Sequence, residues 1–104
     1  MMDRMLLKKI CEIKSQGHRL VLVTITKTLG STPRKTGAAM VVEENGKIWG
    51  TVGGGCCEAE VRQQALLALD CNISGIHKVN LLNDMAANEG MVCGGVMEFF
   101  IQVV

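Results

Sequence analysis

KIWGTVGGGCCEAEVRQQALLAL, residues 47–69, decides the fold. A β-prone stretch through Val52 runs into three glycines, Gly53, Gly54 and Gly55. From Cys57 to Leu69 the apolar residues Val61, Ala65, Ala68 and Leu69 then fall at helical spacing, with Arg62, Gln63 and Gln64 facing outward. A strand therefore feeds a glycine loop and then a helix. Just upstream, Ala38–Glu43 and Lys47–Val52 flank Glu44-Asn45-Gly46, where Asn-Gly supplies the positive φ angles of a tight hairpin turn.

Working outward, Arg19–Thr28 is β-branched and opens on a continuous apolar run, the pattern of a central strand covered on both faces. Before it, Leu6, Ile10 and Ile13 recur at steps of four and three from Asp3, and Gly17 is placed to stop that helix. After the second helix, a strand is expected over Ile76–Leu82, a polar loop over Asn83–Gly90, a turn at Cys93-Gly94-Gly95 and a closing strand over Val96–Val103. The expected fold is α+β: a mixed β-sheet with a central β-hairpin, two packed α-helices and a strand-Gly loop-helix turn.

Composition narrows the function. The 104 residues, 48% hydrophobic and 20% charged, suit one domain over 1–104. With only two Phe, one Trp and no Tyr, its core must be aliphatic, Met and Ala. A net charge of +1, with basic residues scattered among acidic ones, leaves no footprint for nucleic acid or an anionic membrane. No apolar run approaches the roughly 20 residues needed to cross a bilayer, and a cytoplasmic location is expected. The five cysteines fit neither a paired disulfide framework nor a CxxC metal clip. Cys11 and Cys71 are expected to be buried, inert thiols, and His18 and His77 ordinary surface or edge residues.

Two loops carry the candidate chemistry. Gly53–Gly55 lets backbone approach a ligand beside a helix start, but the third glycine of the dinucleotide fingerprint falls on Glu58, so the Rossmann reading fails. Gly30-Ser31-Thr32-Pro33-Arg34-Lys35-Thr36-Gly37 breaks every period and ends in Lys-Thr, yet lacks the P-loop glycines. Its hydroxyls and guanidinium suit phosphate or carboxylate oxygens; a solvated basic loop is the plainer alternative. Cys56 stands in the first helical turn, where the dipole favours thiolate while Glu58 and Glu60 oppose it.

Taken together, Thr28–Ala38, Gly50–Val61 and Met91–Gly95 form three ordered motifs that resemble the XdhC/CoxI family of xanthine dehydrogenase accessory proteins. The resemblance implies a chaperone that binds molybdenum cofactor, in its pterin or dinucleotide form, protects it during sulfuration and hands it to a molybdenum hydroxylase apo-enzyme. It implies a carrier rather than a catalyst, with no catalytic or metal-ligating set of its own. Cofactor binding is carried onto Gly30, Ser31, Pro33 and Arg34, onto Gly53, Gly54, Gly55, Cys56 and Glu58, and onto Cys93, Gly94 and Gly95. Implied partners are the apo-enzyme, a cysteine desulfurase or other sulfur donor, and a second copy in a homo-oligomer. Longer members add a C-terminal Rossmann domain, expected here to be absent or supplied by a separate protein. Cys57 replaces the family's usual aliphatic residue. Two alternatives stand beside this reading: a thiol redox or soft-metal module using Cys56, Cys57 and Cys93, and an adaptor subunit with no ligand site.

Overall fold

The computed structural model describes residues 3–32, 34–53, 55–80 and 94–104, and of Ser31, Gly55, Cys56 and Gly94 the backbone. Its elements in order are α1 (Arg4–Ser15), β1 (Leu20–Ser31), β2 (Ala39–Glu43), β3 (Ile48–Gly50), α2 (Gly55–Cys71), β4 (Gly75–Asn80) and β5 (Gly94–Val103). The five strands form one sheet in the order β3-β2-β1-β5-β4. The α+β class, the two packed helices and the strand-Gly loop-helix turn are as the sequence indicates, and β1 is central.

Two details differ from expectation. The sheet was expected to be mixed, but each neighbouring pair of strands is antiparallel. The cause is where α2 delivers the chain. β3 and β4 do run in the same direction, as a strand-helix-strand crossing requires, but α2 carries the chain from one edge of the sheet to the other. β2, β1 and β5 lie between them. The hairpin, accordingly, sits at an edge. Its turn also differs: of Asn45 and Gly46 only Gly46 has positive φ, at 90°. Glu43 N–H donates to Lys47 O at 2.8 Å, closing the three-residue loop over Glu44–Gly46 that the flanking strands indicate.

The two helices lie on opposite faces. On the first, Val21, Val23 and Ile25 of β1 join Met40 and Val42 of β2, and Met97, Phe99 and Ile101 of β5. Period-two alternation puts these residues on one side of the sheet. Cys57, Val61, Ala65 and Leu69, spaced by four, form a ridge of α2 that packs onto them. Cys57 and Ala65 are small enough to bring the helix axis close. On the other face Leu6 and Ile13 of α1 cover Leu20 and Val41, with Ile10, Leu22, Ala39 and Trp49 partly buried around them. That layer spans β1, β2 and β3.

Local chemistry fixes both helix ends. The Asp3 carboxylate accepts from Met5 N–H at 3.2 Å and caps α1. The last turn of α2 contains no basic residue of its own. Arg19, at the foot of β1, supplies the charge: its guanidinium donates to Leu69 O at 3.1 Å and to Asn72 Oδ1 at 3.0 Å. Arg62 ties α2 to the hairpin, donating to Gly46 O at 2.8 Å. A Cβ on Gly46 would meet only the flexible end of the Arg62 side chain, which can move aside, so it is the φ of 90° that calls for glycine at this turn.

Candidate functional site

Because neighbouring strands alternate in direction, the C-terminal ends of β1, β3 and β4 and the N-terminal ends of β2 and β5 share one end of the sheet. The β1–β2 loop, the β3–α2 loop and the chain between β4 and β5 all leave from that end. All three sequence motifs are therefore brought there. The most direct meeting is within the sheet, where Gly30 lies opposite Gly95 and Ser31 opposite Gly94. Gly94 and Gly95 were expected in a turn; they are instead the first residues of β5, because β1 continues through Ser31 and gives them ladder partners. Pro33, Gly54 and Cys93, along with all of the expected 83–90 loop, lie outside the described residues.

Side chains shape the two nearer loops. Thr32 Oγ1 donates to Arg34 O at 2.9 Å, turning the β1–β2 loop so that Arg34 stands exposed beside β3. After β3, Thr51 Oγ1 accepts from Gly53 N–H at 3.1 Å and donates to Glu58 Oε2 at 2.7 Å. That relay holds the Glu58 carboxylate in the first turn of α2, where negative charge is favoured. Gly53 has φ 145° and Gly55 opens the helix, so the glycine loop does make the strand-to-helix turn. Cys56 lies in the first turn of α2, as its spacing indicated.

Arg34 and Thr51 both line a cleft of about 790 Å³ between α1 and the β3 edge of the sheet. Its apolar floor is Leu6, Ala38, Ala39 and Trp49, and Lys8, Lys9 and Arg34 bring positive charge to it. Gly50 forms part of the wall. Its φ is 82°, and a Cβ there would come within 2.9 Å of Ala39 O, so the backbone approaches its neighbour as only glycine allows. The indole is fixed from several sides: Trp49 Nε1–H donates to Glu43 Oε2, and Lys9 and Lys47 Nζ lie 4.0 and 4.5 Å from the ring centroid. Lys9 is itself held by Glu12 at 2.9 Å. This contact, a hydrogen bond first and charge attraction second, sets the Glu12 carboxyl below its ordinary pKa.

Cys11 and Cys71 are exposed, not buried, because α1 and α2 bury only narrow stripes and both thiols fall outside them. Cys57, by contrast, is only 1% exposed and belongs to the α2 ridge, so its thiol is not presented to solvent. It fills the place of an aliphatic side chain, as a free thiol does well. His77 on β4 pairs with Glu60 of α2 at 2.8 Å, and His18 with Glu44 at 3.1 Å, both apart from the cleft. Among the described residues no cluster of three or more His, Cys, Asp or Glu is placed to hold a metal, and no helix is long and apolar enough to cross a membrane. Sequence reasoning missed Lys8, Lys9, Trp49 and Thr51. Trp49 carried a signal, being the lone tryptophan beside the glycine motif.

An open antiparallel sheet with a helix on each face and its glycine-rich loops collected at one end defines a small α+β module. The chain belongs to the XdhC and CoxI family, whose model matches residues 13–80. It is 34% identical to the uncharacterized protein YqeB of Escherichia coli K12, over 88% of this chain and 17% of that protein. It is 41% identical to the molybdenum cofactor insertion chaperone PaoD of the same organism, over 61% of this chain and 20% of that one. A Bacillus halodurans chain described as a xanthine dehydrogenase shares the fold, with a TM-score of 0.79 and 23% identity over 94% of this chain and 30% of its own. The chain thus spans about a fifth of the length of these curated relatives.

Proposed function

We propose that this protein is an accessory module for molybdenum hydroxylases that holds molybdenum cofactor at the motif-bearing end of its sheet. The observation that supports this reading is that the β1–β2 loop and the β3–α2 loop leave from that end, where Gly30 and Ser31 also pair with Gly95 and Gly94. The kinship with a chaperone named for inserting molybdenum cofactor supplies the ligand. The residues present suit it: the cleft is of cofactor size, and the Arg34 guanidinium on its lining, with no ion-pair partner among the described residues, suits a phosphate. When bound, the cofactor would bring the molybdenum centre that the hydroxylase uses.

In this reading Arg34 and loop amides of Gly30–Arg34 and Gly53–Gly55 hold the pterin phosphate. Cys56 or Cys93 faces the molybdenum or its sulfur, a pairing of soft ligand with soft chemistry. Glu58 positions the glycine loop through Thr51. The module protects the cofactor during sulfuration and passes it to the apo-enzyme. A sulfur donor, a Rossmann-domain protein and a second copy of this chain are its proposed partners, in the cytoplasm.

The test is retention. The purified protein is mixed anaerobically with cofactor released from a donor enzyme, passed through gel filtration, and assayed for co-eluting molybdenum and pterin. Near-stoichiometric retention is expected, falling sharply in Cys56→Ser or Cys93→Ser and in Arg34→Ala. No retention by the unaltered protein would overturn the reading.

A further inference from the structure

We infer that the cleft between α1 and β3 is a binding subsite for a flat-ringed anion, gripped at its charged end by Lys8 and Arg34 and packed along the apolar floor that Trp49 closes. The inference rests on the reading that this end of the sheet receives a cofactor. It adds the part of the ligand the cleft takes and the residues that take it. α1 is mostly outside the stretch matched by the family model, which begins at residue 13, so none of the family motifs points to Lys8.

Three observations carry it. The first is size and lining: about 790 Å³, floored by Leu6, Ala38, Ala39 and Trp49, is the volume and character of a small-molecule site. A polypeptide segment would call for a longer groove with a row of backbone partners. The second is charge. Asp3 is occupied in capping α1 and Glu12 in holding Lys9, so the two acids of the lining are already engaged. Neither the Lys8 ammonium nor the Arg34 guanidinium has a hydrogen-bond or ion-pair partner among the described residues. An anion entering the cleft would find two cations on its lining, supplied by different elements, with Lys8 acting on Glu12 only through charge attraction weaker than that of Lys9. The third is rigidity. Trp49 is fixed by Glu43, Lys9 and Lys47, and Gly50 by its close approach to Ala39, so the floor exists before the ligand arrives.

The arrangement also distinguishes between anions. Inorganic phosphate would reach the cations but leave the apolar floor uncovered; a neutral ring would cover the floor but leave the cations unmet. A planar heterocycle bearing a carboxylate or phosphate satisfies both.

Trp49 is the sole tryptophan in a chain without tyrosine, so its emission reports on this cleft directly. The full chain is titrated with 6-carboxypterin, guanosine monophosphate, guanosine and inorganic phosphate, following Trp49 emission, with calorimetry as the independent readout. Saturable binding is expected for the two ring-bearing anions, at least tenfold tighter than for guanosine or phosphate, and weakening as salt rises. Lys8→Ala and Arg34→Ala should each weaken it about tenfold, the usual worth of a charge-assisted hydrogen bond, while Lys8→Arg restores it. Equal affinity for all four probes, no binding, or indifference to both alanine changes would overturn the inference. The two proposals fail separately. Cofactor retention that ignores Lys8→Ala removes this subsite and leaves the accessory role. Binding of ring anions by a protein that retains no molybdenum does the reverse.

Discussion

The two helices of this module treat the same sheet differently. α2 closes its face: a ridge of residues spaced by four, two of them small, settles onto four strands and encloses a buried apolar core around Phe99. α1 has the cleaner apolar stripe yet buries only Leu6 and Ile13, and the space it leaves beside β3 is the cleft. The comparison teaches that a well-marked amphipathic pattern measures how sharply a helix is divided, not how closely it packs. Side-chain size along the contact ridge decides the second matter. The buried contact of α1 is made by Leu6 and Ile13 alone, whereas the α2 ridge interposes the small Cys57 and Ala65 among its larger side chains.

The largest expected effect breaks the difference open. Phe99→Ala, in the α2 layer, should cost about 4 kcal/mol in urea unfolding, as truncation of a fully buried aromatic does. Leu6→Ala, in the thinner α1 layer, should cost about 2 kcal/mol, near the low end for its type, because the open cleft beside it can relax. Equal costs would mean that the two faces are equally well packed. A smaller effect sharpens it: Asp3→Ala removes the cap of α1 and should cost about 1 kcal/mol, shifting Trp49 emission before the far-ultraviolet signal of the whole fold is lost. The smallest concerns pH. Lys9 holds the Glu12 carboxyl below its ordinary range, so their link is complete above the unfolded-state value and lost as pH falls through the lower folded one. The Glu12 midpoint by NMR should lie below that of an ordinary glutamate and return upward in Lys9→Ala.

Much of the fold is legible in local pattern. The steps of Leu6, Ile10 and Ile13, the apolar run of β1 and the glycine turn into α2 each report a preference that tertiary structure then keeps. What cannot be read there is set by partners far along the chain. Gly94 and Gly95 look like a turn until Gly30 and Ser31 stand beside them. Cys11 and Cys71 sit in apolar helical stretches, but which stripe is buried depends on the face each helix turns to the sheet. The candidate site divides in the same way. Its glycines and Arg34 announce themselves as motifs, whereas the cleft is assembled from α1, the β1–β2 loop and β3, with no sequence pattern linking Lys8 to Trp49.

The last strand in the chain is not at the edge of the sheet. β5 slides between β1 and β4, and its ladder to β1 joins residues 21–31 with residues 94–103. Pairing across so long a stretch is slow to form, since the chain must close a large loop before any of these contacts is rewarded. During synthesis, then, the first helix and the edge hairpin can assemble early, but Gly30 has no Gly95 to meet until β5 has emerged. Within this sheet the motif-bearing end is completed by β5, so the backbone that supports the loops there depends on the longest-range pairing the sheet makes.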